Sequence, residues 1–137
     1  MTAEKLLILL LRLLAVVLLS ALFAVVMPFS WMNEIHRLLG MGELPDQPIM
    51  NYLTRSLSAM YAMHGALIFF VSLNLRRYLP LVKFLLIAAL GFGAVMLGID
   101  LHAGMPASWT ISEGPYLIAM SSALLWLAAR VAPNSAS

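Results

Sequence analysis

The stretch "LLAVVLLSALFAVVMPF", Leu13–Phe29, carries no charge and a single hydroxyl, Ser20. In hydrocarbon every backbone N–H and C=O must be satisfied within the segment, which a helix does. At about 1.5 Å per residue the stretch nearly covers a hydrocarbon core of about 30 Å. The preceding "LLILLLR", 6–12, supplies the rest. Arg12 is expected to turn its guanidinium back toward the headgroups. A secretory leader is the rival reading. The apolar run is too long for a leader's core, and no small-x-small cleavage site follows it. The expectation is a retained transmembrane helix over about 6–29.

Composition points the same way. Of 137 residues 63% are hydrophobic and 10% charged, with mean hydropathy +0.96. A soluble domain has about 25% charged residues and about 45–50% apolar ones. The net charge is +2, and the basic residues form no patch that would track a phosphate backbone, so no nucleic acid is expected as a partner. The absence of cysteine excludes disulfides, thiolate metal sites and cysteine nucleophiles. No nucleotide loop, zinc-protease motif or nucleophile elbow occurs.

Three further apolar stretches are read as spans over about 49–75, 81–101 and 113–131. The last opens near Pro115, a residue suited to a first helical turn. Lys5, Arg12, Arg76, Arg77, Lys83 and Arg130 then fall on one side, which marks the cytoplasmic face. Glu34, Glu43, Asp46, Asp100 and Glu113 fall on the other. The chain is thus expected to be an all-α, four-helix transmembrane bundle, N-in and C-in, forming one integral membrane domain over 1–132. The tail 133–137 is expected to be disordered.

The longest outer loop contains "SWMNEIHRLLG", with apolar residues at helical spacing. A short interfacial helix is expected over about 31–40, capped by Ser30 and ended by Gly40, with Trp31 at headgroup depth. Small residues let helices approach closely in lipid. Two such strips stand out: Ser58, Ala62 and Ala66 on the second span, and Gly91, Ala94 and Gly98 on the third.

Ionisable residues near or within spans are the candidate site. Asp100 and His102, in "MLGIDLHAG" (96–104), are two apart and so point about 200° apart on a helix. A shared metal would require the helix to unwind, and separate roles are expected, with no metal site. His102 falls on the glycine strip and Asp100 on the Gly93/Met96 side. Arg55 lies near the outer end of the second span and needs a partner, for which Asp100 and Glu113 are at similar depth. An anion or headgroup site using the same Arg is the alternative. His64 lies nearest the midplane. It suits either a hydrogen bond to a neighbouring helix or a proton relay, and bis-His haem lacks a second histidine at matching depth. The ten methionines fit gap-filling in cores better than copper handling.

The layout resembles the small four-span membrane proteins of the DoxX-like kind. The points of similarity are "VVMPFSWMN", "GELPDQP", "YLTRSLSA" and "MLGIDLHAG", distributed over most of the chain. The resemblance implies a bacterial inner membrane, and it suggests proximity to quinones. The expected function is a small integral membrane protein acting as a non-catalytic accessory or interaction subunit, its partners the bilayer and other membrane subunits or a second copy. The alternative is a quinone- or small-solute-binding protein using Arg55, Asp100, His102 and Glu113. No cofactor is expected under the first reading.

Overall fold

The computed structural model describes residues 2–131. The tail expected to be disordered lies outside the described residues. Those residues form helices and connecting turns: α1 (Ala3–Leu19), α2 (Leu22–Val26), α3 (Phe29–Leu38), α4 (Pro48–Leu73), α5 (Leu75–Ala103), α6 (Ala107–Ser112) and α7 (Gly114–Ala129). Three helical segments are long and apolar enough to cross a membrane: Ala3–Val26, Pro48–Leu73 and Leu75–Ala103. Their outer faces are apolar. Phe23, Val26, Met63 and Phe84 are all exposed, as suits side chains whose solvent is lipid and not water. The chain divides into two compact units, Leu13–Phe69 and Met1–Arg12 with Phe70–Ser137.

In the unit Leu13–Phe69, the first apolar stretch is helical but broken. The Ser20 hydroxyl donates to the Val17 carbonyl at 2.6 Å, and the backbone tightens to three-residue bonds, Ala21 to Leu18 and Phe23 to Ser20. Such hydroxyl back-bonding competes with the regular helical ladder. After α2, Met27 and Pro28 are both extended. Proline lacks an N–H and disfavours helix at the residue before it, so α2 ends here. Helix α3 starts at Phe29, two residues earlier than expected, and its cap is Pro28 and not Ser30. The proline's fixed φ makes the entry, leaving Ser30 in the first turn. The other end is a Schellman turn: Gly40 N–H donates to Arg37 and Met41 N–H to His36, with Gly40 at φ +77. Trp31, Ile35 and Leu38 are exposed and Met32 is buried. The loop beyond folds back onto the polar face. Leu44 N–H donates to Asn33 Oδ1 at 2.7 Å, and His36 Nδ1 donates to the Gly42 carbonyl at 3.0 Å.

Helix α4 meets α1 within the same unit through Gly65. A Cβ there would lie 2.9 Å from the Leu19 nitrogen and 2.8 Å from the Leu18 Cβ. The close approach thus belongs to Gly65, with Ala62 buried three residues before it and Ala66 exposed. Thr54, Ser56 and Ser58 each give their hydroxyl to the carbonyl four residues back, so they satisfy themselves inside the helix.

In the other unit, a single residue, Asn74, separates α4 from α5, and its side chain accepts from Arg77 N–H at 3.3 Å. The expected connection "RRYLPLVK" is therefore helical, with Pro80 inside α5. Helix α5 buries Leu75, Leu79, Val82, Leu86, Gly93 and Asp100. It packs on α7 through glycine on both sides. A Cβ on Gly93 would lie 3.0 Å from the Gly114 carbonyl oxygen, and one on Gly114 would lie 2.9 Å from the Leu97 nitrogen. The Gly91/Ala94/Gly98 strip, expected to pack, faces outward instead. The buried Leu79, Val82 and Leu86 lead along the helix to Gly93 and Asp100, and that line selects the face. "SWTISEG" forms the separate short helix α6 before Pro115 enters the first turn of α7.

Candidate functional site

Each charged group can be followed to what satisfies it. Arg55 is half-buried on α4, about two turns into the helix. Its guanidinium donates to the Val25 carbonyl and, at 3.0 Å, to the Met27 carbonyl. These oxygens lie at the C-terminal end of α2, where carbonyls have no helical donor and carry the negative end of the dipole. The carboxylate partner expected for Arg55 is replaced by the helix end that Pro28 creates. The planar fork of arginine suits two neighbouring oxygens. Among the described residues the ion pairs are Glu34–Arg37 and Glu4–Arg76.

Asp100 stands in the last turn of α5, and Glu113 between α6 and α7. Asp100 is 3% exposed, on the buried face of α5, and its Oδ2 has no hydrogen-bond partner. Its backbone carbonyl caps the helix by accepting from Gly104 and Met105 N–H, with Gly104 left-handed at φ +67. Glu113 links α6 to α7, and its Oε2 accepts the Trp109 indole N–H at 2.8 Å. Burial raises the Glu113 carboxyl from its ordinary value. The Trp109 hydrogen bond opposes this, and the Asp100 charge adds to it.

His102 is exposed, on the outward side of α5 with Gly98. It and Asp100 therefore meet different surroundings, as the two-residue spacing requires. His64 is half-buried in the middle part of α4, beside Gly65. Of the candidate residues, Asp100 is buried on α5, Glu113 bonds Trp109, Arg55 is committed to carbonyls, and His102 is exposed. Among the described residues no three of histidine, aspartate and glutamate are grouped to hold a metal ion.

Sequence reasoning missed two partners. Trp109 stands four residues before Glu113, one helical turn away, which is a readable signal. Glu4 pairs with Arg76 through two bonds of 2.8 Å. No local pattern announces a pair separated by 72 residues. In that unit Arg12 Nε also reaches Ser72 Oγ at 3.5 Å, and Arg130 stacks over the Trp126 ring at 3.4 Å.

No family model matches the chain, and neither a curated protein nor a solved structure matches it.

Proposed function

We propose that this chain is an accessory subunit of a bacterial inner membrane, without catalysis of its own, that works by lateral association with another membrane helix. The supporting observation is the open strip on α5. Gly91, Ala94 and Gly98 are exposed, and a Cβ at Gly91 or Gly98 meets nothing within 4 Å. Elsewhere the chain uses its glycines for backbone contact, as at Gly65, Gly93 and Gly114. A smooth strip in lipid is the feature on which a second helix seats, because packing and not hydrophobic burial drives association there.

The chain crosses four times in this reading, with both termini cytoplasmic. Helix α7 has 16 residues and rises about 24 Å. It ends in Trp126 under Arg130, the aromatic and basic pairing of a membrane interface. The exposed apolar side of α3 suits the outer interface. The resemblance of the sequence layout to DoxX-like proteins is what supports the bacterial inner membrane.

The test is chemical cross-linking in native membranes, followed by purification in mild detergent. The native chain is expected to be captured with a second copy or another subunit. Gly91→Leu and Gly98→Leu should abolish that capture while leaving the melting temperature within a few degrees of native. Undiminished capture by both variants overturns the reading.

A further inference from the structure

We propose that the chain binds anionic phospholipid through a girdle of cations, Lys5, Arg77, Lys83 and Arg130, around one end of the unit Met1–Arg12 with Phe70–Ser137. The inference rests on the four-crossing reading, in which that end meets the inner leaflet.

The register of α5 on α7 sets the level of these groups. Gly93 lies against Gly114 and Ile118, and Gly114 lies against Gly93 and Leu97, so the two helices run antiparallel. From that contact Lys83 is about ten residues back along α5 and Trp126 about ten residues on along α7, or about 15 Å each. Lys83 and Trp126 therefore stand at one level. Arg130 is one turn beyond Trp126 and stacks over its ring at 3.4 Å. Arg77 lies beyond Lys83 in the same direction. Glu4 is bonded to Arg76 at 2.8 Å, which brings the start of α1, and Lys5 with it, to this end. Lys83 is half-buried, about two turns into α5. Its stem can follow the helix and carry the ammonium to headgroup depth.

The charge balance at this end names the ligand. Glu4 is held by Arg76 through both of its oxygens. Asp100 and Glu113 lie in the opposite direction from the Gly93–Gly114 contact. Among the described residues Lys5, Arg77, Lys83 and Arg130 have no carboxylate partner. Arg77 and Arg130 meet aromatic faces instead, Arg77 at 5.6 Å from the Tyr78 centroid. A zwitterionic headgroup would bring its ammonium to a level where the one carboxylate is taken. A phosphate diester without that ammonium meets uncompensated positive charge. Arg77 and Lys83 are six residues apart in sequence, hence about 120° apart around α5. The cations therefore address different neighbours, and the ligand is a ring of surrounding headgroups, not a single molecule in a pocket. Each basic residue beside an anionic leaflet contributes about fivefold in association, and Trp126 stands at the depth where indoles gather.

The experiment reconstitutes the full chain in phosphatidylcholine vesicles with trace spin-labelled phosphatidylglycerol or spin-labelled phosphatidylcholine. Electron paramagnetic resonance reads the fraction of each label held at the protein surface. Phosphatidylglycerol should be preferred by about fivefold, the size expected of a basic residue at an anionic surface. Arg77→Gln, Lys83→Gln and Arg130→Gln combined should bring the two lipids to parity. The charge-keeping combination Arg77→Lys, Lys83→Arg and Arg130→Lys should retain the preference. Gly91→Leu and Gly98→Leu should retain it too, so loss of lateral association and loss of lipid selectivity are read separately. Equal association of the two lipids with the native chain overturns the proposal, as does a preference that survives the glutamine substitutions. Loss of preference in the charge-keeping variant would trace it to packing and contradict the proposal. Displacement of the labelled phosphatidylglycerol by inorganic phosphate, at fixed ionic strength, would assign the cations to a free anion and contradict it as well.

Discussion

At the scale of the residue, Arg55 shows how a charge is tolerated in an apolar setting without an opposite charge. Its guanidinium meets the two carbonyls of Val25 and Met27. Those oxygens are free because Met27 and Pro28 leave the helix. The need for a partner was legible in the sequence, and so was Pro28. The link between them was not, because backbone carbonyls look alike in every sequence and only the fold brings a helix end beside a side chain 30 residues later. Removing the guanidinium should strand the carbonyls. Hydrogen bonds to charged groups contribute about 1.5–3 kcal/mol, and Arg55→Ala should lose an amount of that order in detergent denaturation. Arg55→Lys should recover only part, since an ammonium is a point donor and lacks the fork. A lysine variant as stable as the native chain would argue against the two-carbonyl cap.

Between helices, glycine position decides which faces meet. Sequence inspection finds small residues on two sides of α5: the strip Gly91, Ala94, Gly98, and Gly93 in line with the buried leucines. Either could pack. The choice falls to Gly93 because Leu79, Val82, Leu86 and Asp100 share its side, and that register is a property of the whole helix. The same reasoning separates Gly65 from Ala66 on α4. Substitutions at these glycines should therefore differ in sign. Gly65→Ala puts a Cβ 2.9 Å from a backbone nitrogen and 3.0 Å from a backbone oxygen, which cannot yield as a side-chain tip can. It should destabilise by about 1–3 kcal/mol, the usual cost of overpacking. Gly98→Ala has nothing within 4 Å and should stabilise the monomer by up to about 1 kcal/mol through helix propensity. Equilibrium unfolding of the two variants in the same detergent gives the comparison. Equal losses would mean that the outward strip is packed after all.

For the whole molecule, the class was legible at once, because "LLAVVLLSALFAVVMPF" admits few structures outside a membrane. Helix ends were less legible. The basic connection "RRYLPLVK" reads as a loop but is helical, since Asn74 alone turns the chain and a proline early in α5 costs only one bond. The number of crossings is the central claim, because α7 is short while its Trp126–Arg130 end looks like an interface. The chain has no cysteine, so single cysteines report cleanly on their surroundings. The decisive measurement is labelling by a membrane-impermeant maleimide in intact bacterial cells, with Glu43→Cys, Asn74→Cys, Ser108→Cys and Ser135→Cys each introduced alone. Four crossings with cytoplasmic termini predict that positions 43 and 108 label in intact cells, while 74 and 135 label only after permeabilisation. Labelling of 135 from outside, together with 43 and 108, would mean that α7 does not cross and would contradict the account.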